Sequence, residues 1–328
     1  MSYLYRRIGF YLVALWASVT LNFFLPRLMP GSPVDYFAAQ HHNELANNPH
    51  LLDSLRIALG GSKEPLFVQY MQYLGNISHG NFGTSYSQYP TPVSVILGQT
   101  IPWTLLLAGV STVLAFAIGT VLGIVAAWRR GGIVDTLLTP FTMFVYSFPP
   151  FFAALLLLFA FGFVVHWFPL NHNYDPDLVH AGFNAPFFVN VLWHAALPLV
   201  AIMLASIGGW LLGMRNVMIN TLSEEYVTMA QAKGLNNQRV MYMYAARNAL
   251  LPQITSFAIS LGYVVTGLIL IESVFSYQGV GYALFSAVEA HDYPLMQALF
   301  LFITVAMLMA NFIADLLYAR LDPRVRSA

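Results

Sequence analysis

The polar loop Ser223–Pro252 reads SEEYVTMAQAKGLNNQRVMYMYAARNALLP and lies between two long apolar stretches. It carries glutamates, a lysine and arginines in a chain that is 58% hydrophobic and only 9% charged. A soluble domain contains about 25% charged residues, so this composition cannot cover a soluble surface of this size. The chain is therefore predicted to lie in a membrane, with the polar loop meeting a partner outside the bilayer.

The first half of the polar loop is predicted to be a helix over Leu222–Lys233. Its apolar residues recur every three to four positions, as expected for one buried face of a helix. The members of that predicted face are Leu222, Tyr226 and Met229 or Ala230. Ser223 is a candidate N-cap, and Gly234 is a candidate C-terminal stop. This shape alone also fits an amphipathic helix that rests on the membrane surface.

A second helix is predicted after the turn at Gly234. Asn236 or Asn237 can cap its start, and the helix then leads through Arg247 into the next apolar stretch. Small residues leave a shallow surface before the turn, which a partner could approach closely. These residues are Ala230, Ala232 and Gly234.

Six apolar stretches are long enough to cross a bilayer as helices, which takes about 20 residues each. They are Ile8–Leu28, Ile101–Trp128, Leu137–Val165, Val191–Met214, Leu250–Ile271 and Leu295–Leu317. The first is too long for a signal peptide and lacks a cleavage site, so we interpret it as a retained helix. The third contains Phe148-Pro149-Pro150, which predicts a bend that serves either packing or a transport pathway.

Lysine and arginine side chains divide unevenly between the two sides of these stretches. With the N-terminus inside, the inner side holds eleven of them and the outer side three. The inner ones are Arg6, Arg7, Arg129, Arg130, Arg215, Lys233, Arg239, Arg247, Arg320, Arg324 and Arg326, and the outer ones are Arg27, Arg56 and Lys63. This split predicts that both termini and the polar loop are cytoplasmic.

The predicted fold is an all-α integral membrane protein with six transmembrane helices. Its parts are an N-terminal transmembrane helix (1–29), an extracytoplasmic segment (30–100), a transmembrane core (101–317) with a cytoplasmic loop (215–249), and a cytoplasmic tail (318–328). Leu51–Leu59 and Leu66–Leu74 predict helices inside the extracytoplasmic segment. Two small-residue pairs, Gly119/Gly123 and Gly209/Gly213, predict close helix packing within the core.

Ionisable side chains are missing from the middle of all six stretches. Glu272 lies at the outer end of the fifth stretch, and Asp315 lies near the inner end of the sixth. This distribution argues against a proton- or sodium-coupled carrier and against an intramembrane protease. Uncharged polar side chains that could line a pathway are Ser111, Thr112, Ser147, Tyr263 and Thr266. The chain has no phosphate-binding loop, so another subunit must hydrolyse any ATP that the process uses.

The nine histidines are scattered and show no metal-ligand spacing. They are His41, His42, His50, His79, His166, His172, His180, His194 and His291. We interpret them as surface residues, with metal binding as the alternative, and predict no metal site and no cofactor in this chain. The absence of cysteine excludes disulfide and thiolate chemistry. The net charge of zero gives no indication of a nucleic-acid partner.

Several motifs, taken in order, resemble permeases of the peptide/nickel/oligosaccharide ABC importer family. In the polar loop, Glu225–Val227, Ala230–Leu235 and Arg247–Pro252 are similar to the EAA loop of those permeases. The other matching motifs are Pro30–Val34, Gly80–Tyr86, Phe275–Gly281, Asp292–Leu295, Asp315–Tyr318 and Leu321–Arg324. Tyr226 and Gln278 depart from the family pattern, and the segment around 38–50 matches nothing in it.

The resemblance implies the transmembrane subunit of a type I ABC importer in a bacterial or archaeal cytoplasmic membrane. Such a subunit works with a second, homologous permease, two ABC ATPase subunits that bind ATP and Mg²⁺, and an extracytoplasmic solute-binding protein. The subunit itself is not an enzyme, and the helix before Gly234 would dock on an ATPase as a coupling helix. The implied coupling residues are Glu225, Ala230, Ala232, Gly234 and Leu235, with Arg239 and Arg247 in support. The candidate pathway residues are Phe148, Pro149, Tyr263 and Glu272.

The substrate stays open between small peptides and oligosaccharides, which move inward by alternating access. Peptides are the commonest cargo of the family. Ser206–Asn216 and Tyr244–Asn248 resemble members associated with oligosaccharide uptake. A nickel permease is least favoured, because no metal-ligand cluster stands out. Outside this family, the alternatives are a proton-coupled secondary transporter and an intramembrane enzyme or scaffold.

Overall fold

The computed structural model describes residues 2–30, 64–263 and 268–321. In these ranges the chain is helical, and its one β pairing is an isolated bridge between Thr84 and Pro92. Several sequence features lie outside the described residues. They are Gly31–Val34, His41, His42, His50, Leu51–Leu59, Arg56, Lys63, Thr266, Asp322–Arg324 and Arg326.

Twelve α-helices and two π-helices make up the described ranges. In chain order they are α1 (Ser2–Leu28), α2 (Leu66–Ser78), α3 (Val93–Trp128), α4 (Ile133–Tyr146), α5 (Pro150–Leu157), π1 (Leu158–Val164), α6 (Ala185–Leu222), α7 (Glu225–Ala232), α8 (Asn237–Arg239), π2 (Val240–Ala246), α9 (Arg247–Tyr263), α10 (Ile269–Val274), α11 (Val280–Glu289) and α12 (Tyr293–Leu321). The helix predicted over Leu66–Leu74 is confirmed as α2.

Four of the described helices, α1, α3, α6 and α12, are long and apolar enough to cross a membrane. A fifth span results if α4 and the α5–π1 helix count as one bent unit, with a bend of 97°. The break falls at Phe148-Pro149-Pro150, so the predicted interruption is confirmed. Proline stops a helix here because it lacks an N–H donor, and Pro150 then opens α5 at a position that needs none. The predicted fifth stretch falls on α9 and α10, and residues 264–267 between them lie outside the described chain. The count of six spans therefore stays a prediction.

The chain divides into two compact units. Unit 1 comprises Met1–Trp103 and Gln278–Ala328, and unit 2 comprises Thr104–Tyr277. In unit 1, α1 packs along α12, where the Tyr11 hydroxyl donates to the Asp315 carboxylate at 2.6 Å. Arg7 forms an ion pair with the same carboxylate. The domain boundaries given above stay predictions.

A buried carboxylate fastens a loop of unit 1 to the start of α12. Asp292 is completely buried and accepts hydrogen bonds from the backbone N–H of Ser87 (3.0 Å) and of Leu295 (3.2 Å). The hydroxyl groups of Ser85 and Ser87 donate to it as well. These donors replace water, without which a buried carboxylate is costly. Two motifs matched in the sequence, around Ser85 and at Asp292, therefore meet in one junction.

Small residues bring α3 and α6 into close contact in unit 2. A Cβ atom on Gly119 would lie 2.6 Å from the Cβ of Trp210, and one on Gly123 would lie 2.6 Å from the carbonyl oxygen of Leu211. These distances are shorter than any real contact of a Cβ atom. The close packing predicted from the Gly119/Gly123 pair is therefore confirmed.

The glycine pair predicted on α6 is displaced by one residue. A Cβ on Gly209 would meet the Tyr146 ring at an ordinary 3.6 Å, whereas one on Gly208 would lie 2.6 Å from the Tyr146 Cβ. Gly213 does face a neighbour, the Gln253 side chain of α9, at 3.0 Å. Adjacent helical residues point about 100° apart, and a four-residue spacing cannot say which of two neighbouring glycines faces α4.

Gly123→Ala is expected to lower the free energy of unfolding by about 1–3 kcal/mol, because its methyl group forces the α3 and α6 backbones apart. Gly109→Ala is the matched control, since a Cβ at Gly109 on the same helix meets nothing within 4 Å. Thermal unfolding of the purified protein in detergent compares the two variants. Equal melting temperatures for both would contradict the close packing.

Candidate functional site

The polar loop begins where α6 ends. Ser223 is the C-cap residue of α6, and its hydroxyl donates to the Asn220 carbonyl oxygen at 2.7 Å. The prediction that Ser223 caps the following helix is wrong, because the preceding helix uses this side chain. Glu224 takes the N-cap position of α7 without a side-chain cap hydrogen bond.

Gly234 follows the end of α7, as the sequence predicts. Its φ of +72° lies in the left-handed region, which glycine adopts without a steric penalty. The Gly234 N–H donates to the Gln231 oxygen at 2.9 Å, and the Leu235 N–H donates to the Ala230 oxygen at 3.4 Å. Together these bonds form a Schellman motif. No heavy atom lies within 4 Å of a Cβ built on Gly234, so this corner is open to close approach.

The second helical run starts at Asn236, one of the two predicted caps. The Asn236 Oδ1 atom accepts a hydrogen bond from the Gln238 N–H at 3.0 Å. The run then continues through α8, π2 and α9 to Tyr263. Arg239 and Arg247 lie directly before and after π2, and both are exposed. A π-helical turn holds an extra residue, a feature frequent at functional sites.

One face of α7 is anchored in a buried apolar cluster. Val227 is 0% and Ala230 is 2% exposed. The other members of this anchoring cluster are Ile124 and Ala127 of α3, Met214 and Met218 of α6, Val240, Met241, Ala245 and Ala246 of π2, and Ala249 of α9. Leu235 packs against it from the turn. Full burial of a side chain such as valine contributes about 1.5–3 kcal/mol, and this burial holds α7 against α3, α6, π2 and α9.

The opposite face of α7 is open. Its exposed stripe, at spacings of three and four residues, consists of Glu225, Thr228, Met229 and Ala232. Met229 is 64% exposed and Tyr226 is 37% exposed. The predicted apolar face is therefore wrong in Tyr226. Of its two alternatives Met229 and Ala230, the structure buries Ala230, and Leu222 packs against the same cluster. Valine and alanine fit between the methionines and alanines of the cluster, which leaves the larger side chains outside.

An ion pair near the polar loop was missed from the sequence. Arg215 of α6 binds Asp135 of α4 through two hydrogen bonds, Nε to Oδ1 at 2.7 Å and a terminal nitrogen to Oδ2 at 2.8 Å. The Gly131 N–H and the Thr139 hydroxyl also donate to this buried carboxylate. The available signal was an aspartate in the first turn of an apolar helix, but Arg129 and Arg130 lie far closer to it in sequence than Arg215 does.

A cavity of about 270 Å³ lies halfway along α3 and α6 in unit 2. Its wall includes Trp210, Pro150 and four residues with hydroxyl groups, which are Ser111, Thr112, Ser206 and Ser260. Trp210 makes aromatic contacts with Phe116, whose ring stacks on Phe257 at 4.3 Å between centroids. Two of the four, Ser111 and Thr112, were predicted pathway candidates; Ser206 and Ser260 were missed.

The two candidate pathway residues at the helix break, Phe148 and Pro149, directly precede a residue of the cavity wall in the sequence. Phe148 packs against the rings of Phe144 and Phe152, and Pro149 is the N-cap residue of α5. The following Pro150 reaches the cavity wall. Ser147 lies on the exposed side of the break, where its hydroxyl donates to the Phe144 carbonyl oxygen at 2.7 Å.

The remaining pathway candidates lie on α9 and α10. Glu272 is completely buried, and its Oε1 atom accepts a hydrogen bond from the Thr104 hydroxyl at 2.7 Å. Its neighbour Ile271 lines the cavity. Tyr263 is the last residue of α9, and its side chain lies outside the described part of the chain. Among the described residues, no three histidine, aspartate or glutamate side chains form a group that could hold a metal ion.

Comparison with known proteins places this architecture in a family. Residues 119–327 match the family model of the binding-protein-dependent transport system inner membrane component. The chain belongs to this family. It is therefore a multi-pass inner-membrane permease subunit of an ABC importer. ATP hydrolysis in such importers belongs to the partner ATPases.

Similar permeases align with nearly the whole chain. A Brucella suis biovar 1 protein named as a peptide permease is 34% identical over 326 residues, or 99% of each chain. The oligopeptide transport system permease protein AppB of Bacillus subtilis is 31% identical over 328 residues, and the di/tripeptide transport system permease protein DppB of Pseudomonas aeruginosa is 30% identical over 340 residues. Both alignments span 99% of this permease and 99% of its relative.

Proposed function

We propose that this permease subunit moves short peptides into the cytoplasm by alternating access, driven through α7 by a partner ATPase. The observation that carries the proposal is that α7 is buried on one side and exposed on the other. One side, with Val227 and Ala230, is buried against α3, α6 and π2, and the other side is exposed. When a partner displaces the exposed side of such a helix, the buried side displaces the helices that it contacts.

The exposed side of α7 suits a protein partner. Met229 is 64% exposed next to the charged side chains of Glu225 and Lys233, and methionine adapts its shape to a partner surface. Gly234 allows a partner backbone to come close, because nothing occupies the space beside it. In this proposal Glu225, Ala232 and Gly234 contact the ATPase, and Arg239 and Arg247 support that contact from beside π2.

The buried coupling residues act on the permease side of the same helix. Ala230 sits in the anchoring cluster, and Leu235 packs against that cluster from the turn. They make α7, α6 and π2 move together when the ATPases close. Switching between two packed arrangements of such segments is how externally driven conformational changes are built.

Topology and assembly follow from the same proposal. The charge distribution supports six spans with both termini and the polar loop in the cytoplasm. The partners are a second, homologous permease subunit, two ABC ATPases and an extracytoplasmic solute-binding protein. ATP and Mg²⁺ bind to the ATPases, and this chain holds neither a cofactor nor a metal.

Peptides are favoured as the cargo for two reasons. The relatives named above are named for peptide, oligopeptide and di/tripeptide transport. Among the described residues of its wall, the cavity presents hydroxyl groups and aromatic surface and no lysine, arginine, aspartate or glutamate, which suits the neutral amide backbone of a peptide. We propose Phe148, Pro149, Tyr263 and Glu272 as further residues beside the pathway. A neutral oligosaccharide would fit the same wall, which makes it the alternative cargo to test.

Reconstitution in proteoliposomes tests this function. The complete complex, with its ATPases and solute-binding protein, is expected to accumulate trialanine only when ATP is present, and a protonophore should leave the rate unchanged. Uptake that survives ATP depletion and collapses with the proton gradient would instead indicate a secondary transporter. Uptake of cellotetraose in place of trialanine would assign the oligosaccharide cargo and refute the peptide proposal.

A further inference from the structure

Two serines of the cavity wall donate the single proton of their hydroxyl group to their own helix. The Ser206 hydroxyl of α6 donates to the Ile202 carbonyl oxygen at 2.8 Å, and the Ser260 hydroxyl of α9 donates to the Phe257 carbonyl oxygen at 2.8 Å. A hydroxyl group has one proton and two acceptor lone pairs. Each of these oxygens can therefore accept a hydrogen bond from a ligand but has no proton left to donate to it.

The two serines lie at the same level of the seam between α6 and α9. The rings of Trp210 and Phe257 are in contact across this seam, with 6.2 Å between their centroids, and Gly213 faces Gln253 one turn further on. These two contacts show that α6 and α9 run in opposite directions. One serine is four residues before Trp210 and the other is three residues after Phe257. Both therefore lie about one turn from the aromatic contact, on its side away from the polar loop.

The other two hydroxyl groups of the wall are on α3 and differ from this pair. Ser111 is 0% exposed and donates to the Ala108 carbonyl oxygen at 3.0 Å, so its oxygen is out of reach of a ligand. Thr112 is half-buried, and its hydroxyl has no hydrogen-bond partner within the described part of the chain. The wall therefore offers acceptors on α6 and α9 and a free hydroxyl proton on α3.

We propose that Ser206 and Ser260 accept hydrogen bonds from backbone N–H groups of the peptide, and that Thr112 donates to one of its carbonyl oxygens. This inference rests on the proposed peptide substrate. A peptide unit needs both kinds of partner, because it carries one N–H donor and one carbonyl acceptor, and a group left unpaired away from water is costly. These contacts involve only the main chain, so they are available to peptides of different sequence.

The inference predicts that the permease prefers an amide to an ester at the same position. The probe pair is trialanine and its analogue with lactate as the central residue, in which an ester oxygen replaces one amide N–H and both termini stay charged. Binding is measured by isothermal titration calorimetry on the complex of both permease subunits and both ATPases in nanodiscs. The solute-binding protein is omitted so that its own selectivity does not contribute. The wild-type complex is expected to bind trialanine about tenfold more tightly, because the ester oxygen faces a serine oxygen without a proton between them.

Three variants assign the preference to the two serines. The double variant Ser206→Ala/Ser260→Ala removes both acceptors and is expected to reduce the preference below about twofold. Thr112→Val removes the free proton, so it should lower the affinity for both peptides by about fivefold and leave the preference in place. Ser256→Ala is the matched control on α9, since the exposed Ser256 hydroxyl donates to the Pro252 carbonyl oxygen at 3.1 Å. It should keep the wild-type preference.

The double variant also separates the missing N–H from the second difference between the probes, which is that an ester carbonyl is a weaker acceptor than an amide carbonyl. Equal wild-type affinity for the two probes, no wild-type binding of trialanine, or a preference that persists in the double variant would overturn the inference. So would loss of the preference in Thr112→Val. ATP-driven trialanine uptake by the complete wild-type complex, measured separately, shows whether the proposed function stands in either case.

Discussion

Gly234→Val is expected to reduce ATP-driven uptake at least about tenfold while the protein still inserts into the membrane. Valine in the left-handed region costs about 1–2 kcal/mol, which is enough to shift the turn out of its observed conformation in most molecules. The turn then loses the bond from the Leu235 N–H to the Ala230 oxygen. The end of α7 would move relative to the anchoring cluster, while the spans themselves keep their contacts.

The measurement pairs trialanine uptake with ATPase activity in the same proteoliposomes. We expect ATP hydrolysis to continue without matching uptake, because the ATPases are intact and only their connection to the spans is altered. Gly234→Asn is the matched control, since asparagine tolerates a positive φ, and it should keep most of the uptake. If Gly234→Val took up trialanine at the wild-type rate, the conclusion that α7 couples ATP hydrolysis to transport would be contradicted.

Arg215→Ala is expected to lower the free energy of unfolding by about 3–5 kcal/mol, because it leaves the buried Asp135 carboxylate without its cation. Both hydrogen bonds of the pair are 2.8 Å or shorter, so the arginine is a well-placed partner. Thermal unfolding in detergent measures the loss. Arg130→Ala, at an exposed position nearby, should change stability by less than about 0.5 kcal/mol.

A double variant identifies the cause of that loss. Asp135→Asn combined with Arg215→Gln removes both charges, and it should be more stable than Arg215→Ala alone because no unpaired carboxylate stays buried. A double variant that is as unstable as the single one would indicate that arginine packing, and not the charge of Asp135, is what α4 and α6 require.

Local rules explain the parts of the site that the sequence predicts correctly. The stop at Gly234 and the cap at Asn236 depend on residues within a few positions, and both were recognisable from residue type. The break at Phe148-Pro149-Pro150 has the same local origin. Ser223 shows where such rules fail, since one hydroxyl stands between two helices and either can use it.

Contacts between distant segments account for what the sequence did not predict. Asp135 and Arg215 are 80 residues apart, and nothing in either segment marks the other as its partner. Ser206 and Ser260 meet at the cavity only because α6 and α9 converge there. The buried side of α7 also depends on its neighbours, since the cluster formed with α3, α6, π2 and α9 includes Val227 and leaves Tyr226 exposed.

Site-directed crosslinking from α7 tests the central claim most directly. The chain has no cysteine, so Ala232→Cys provides a unique attachment point in this subunit for a photo-activated crosslinker. If α7 docks on the ATPase, Ala232→Cys should give a covalent product with an ATPase subunit. No such product is expected from Phe183→Cys, which is also at an exposed position but lies just before the opposite end of α6. An ATPase product from Phe183→Cys, or none from Ala232→Cys in an active complex, would contradict the docking of α7 on the ATPase.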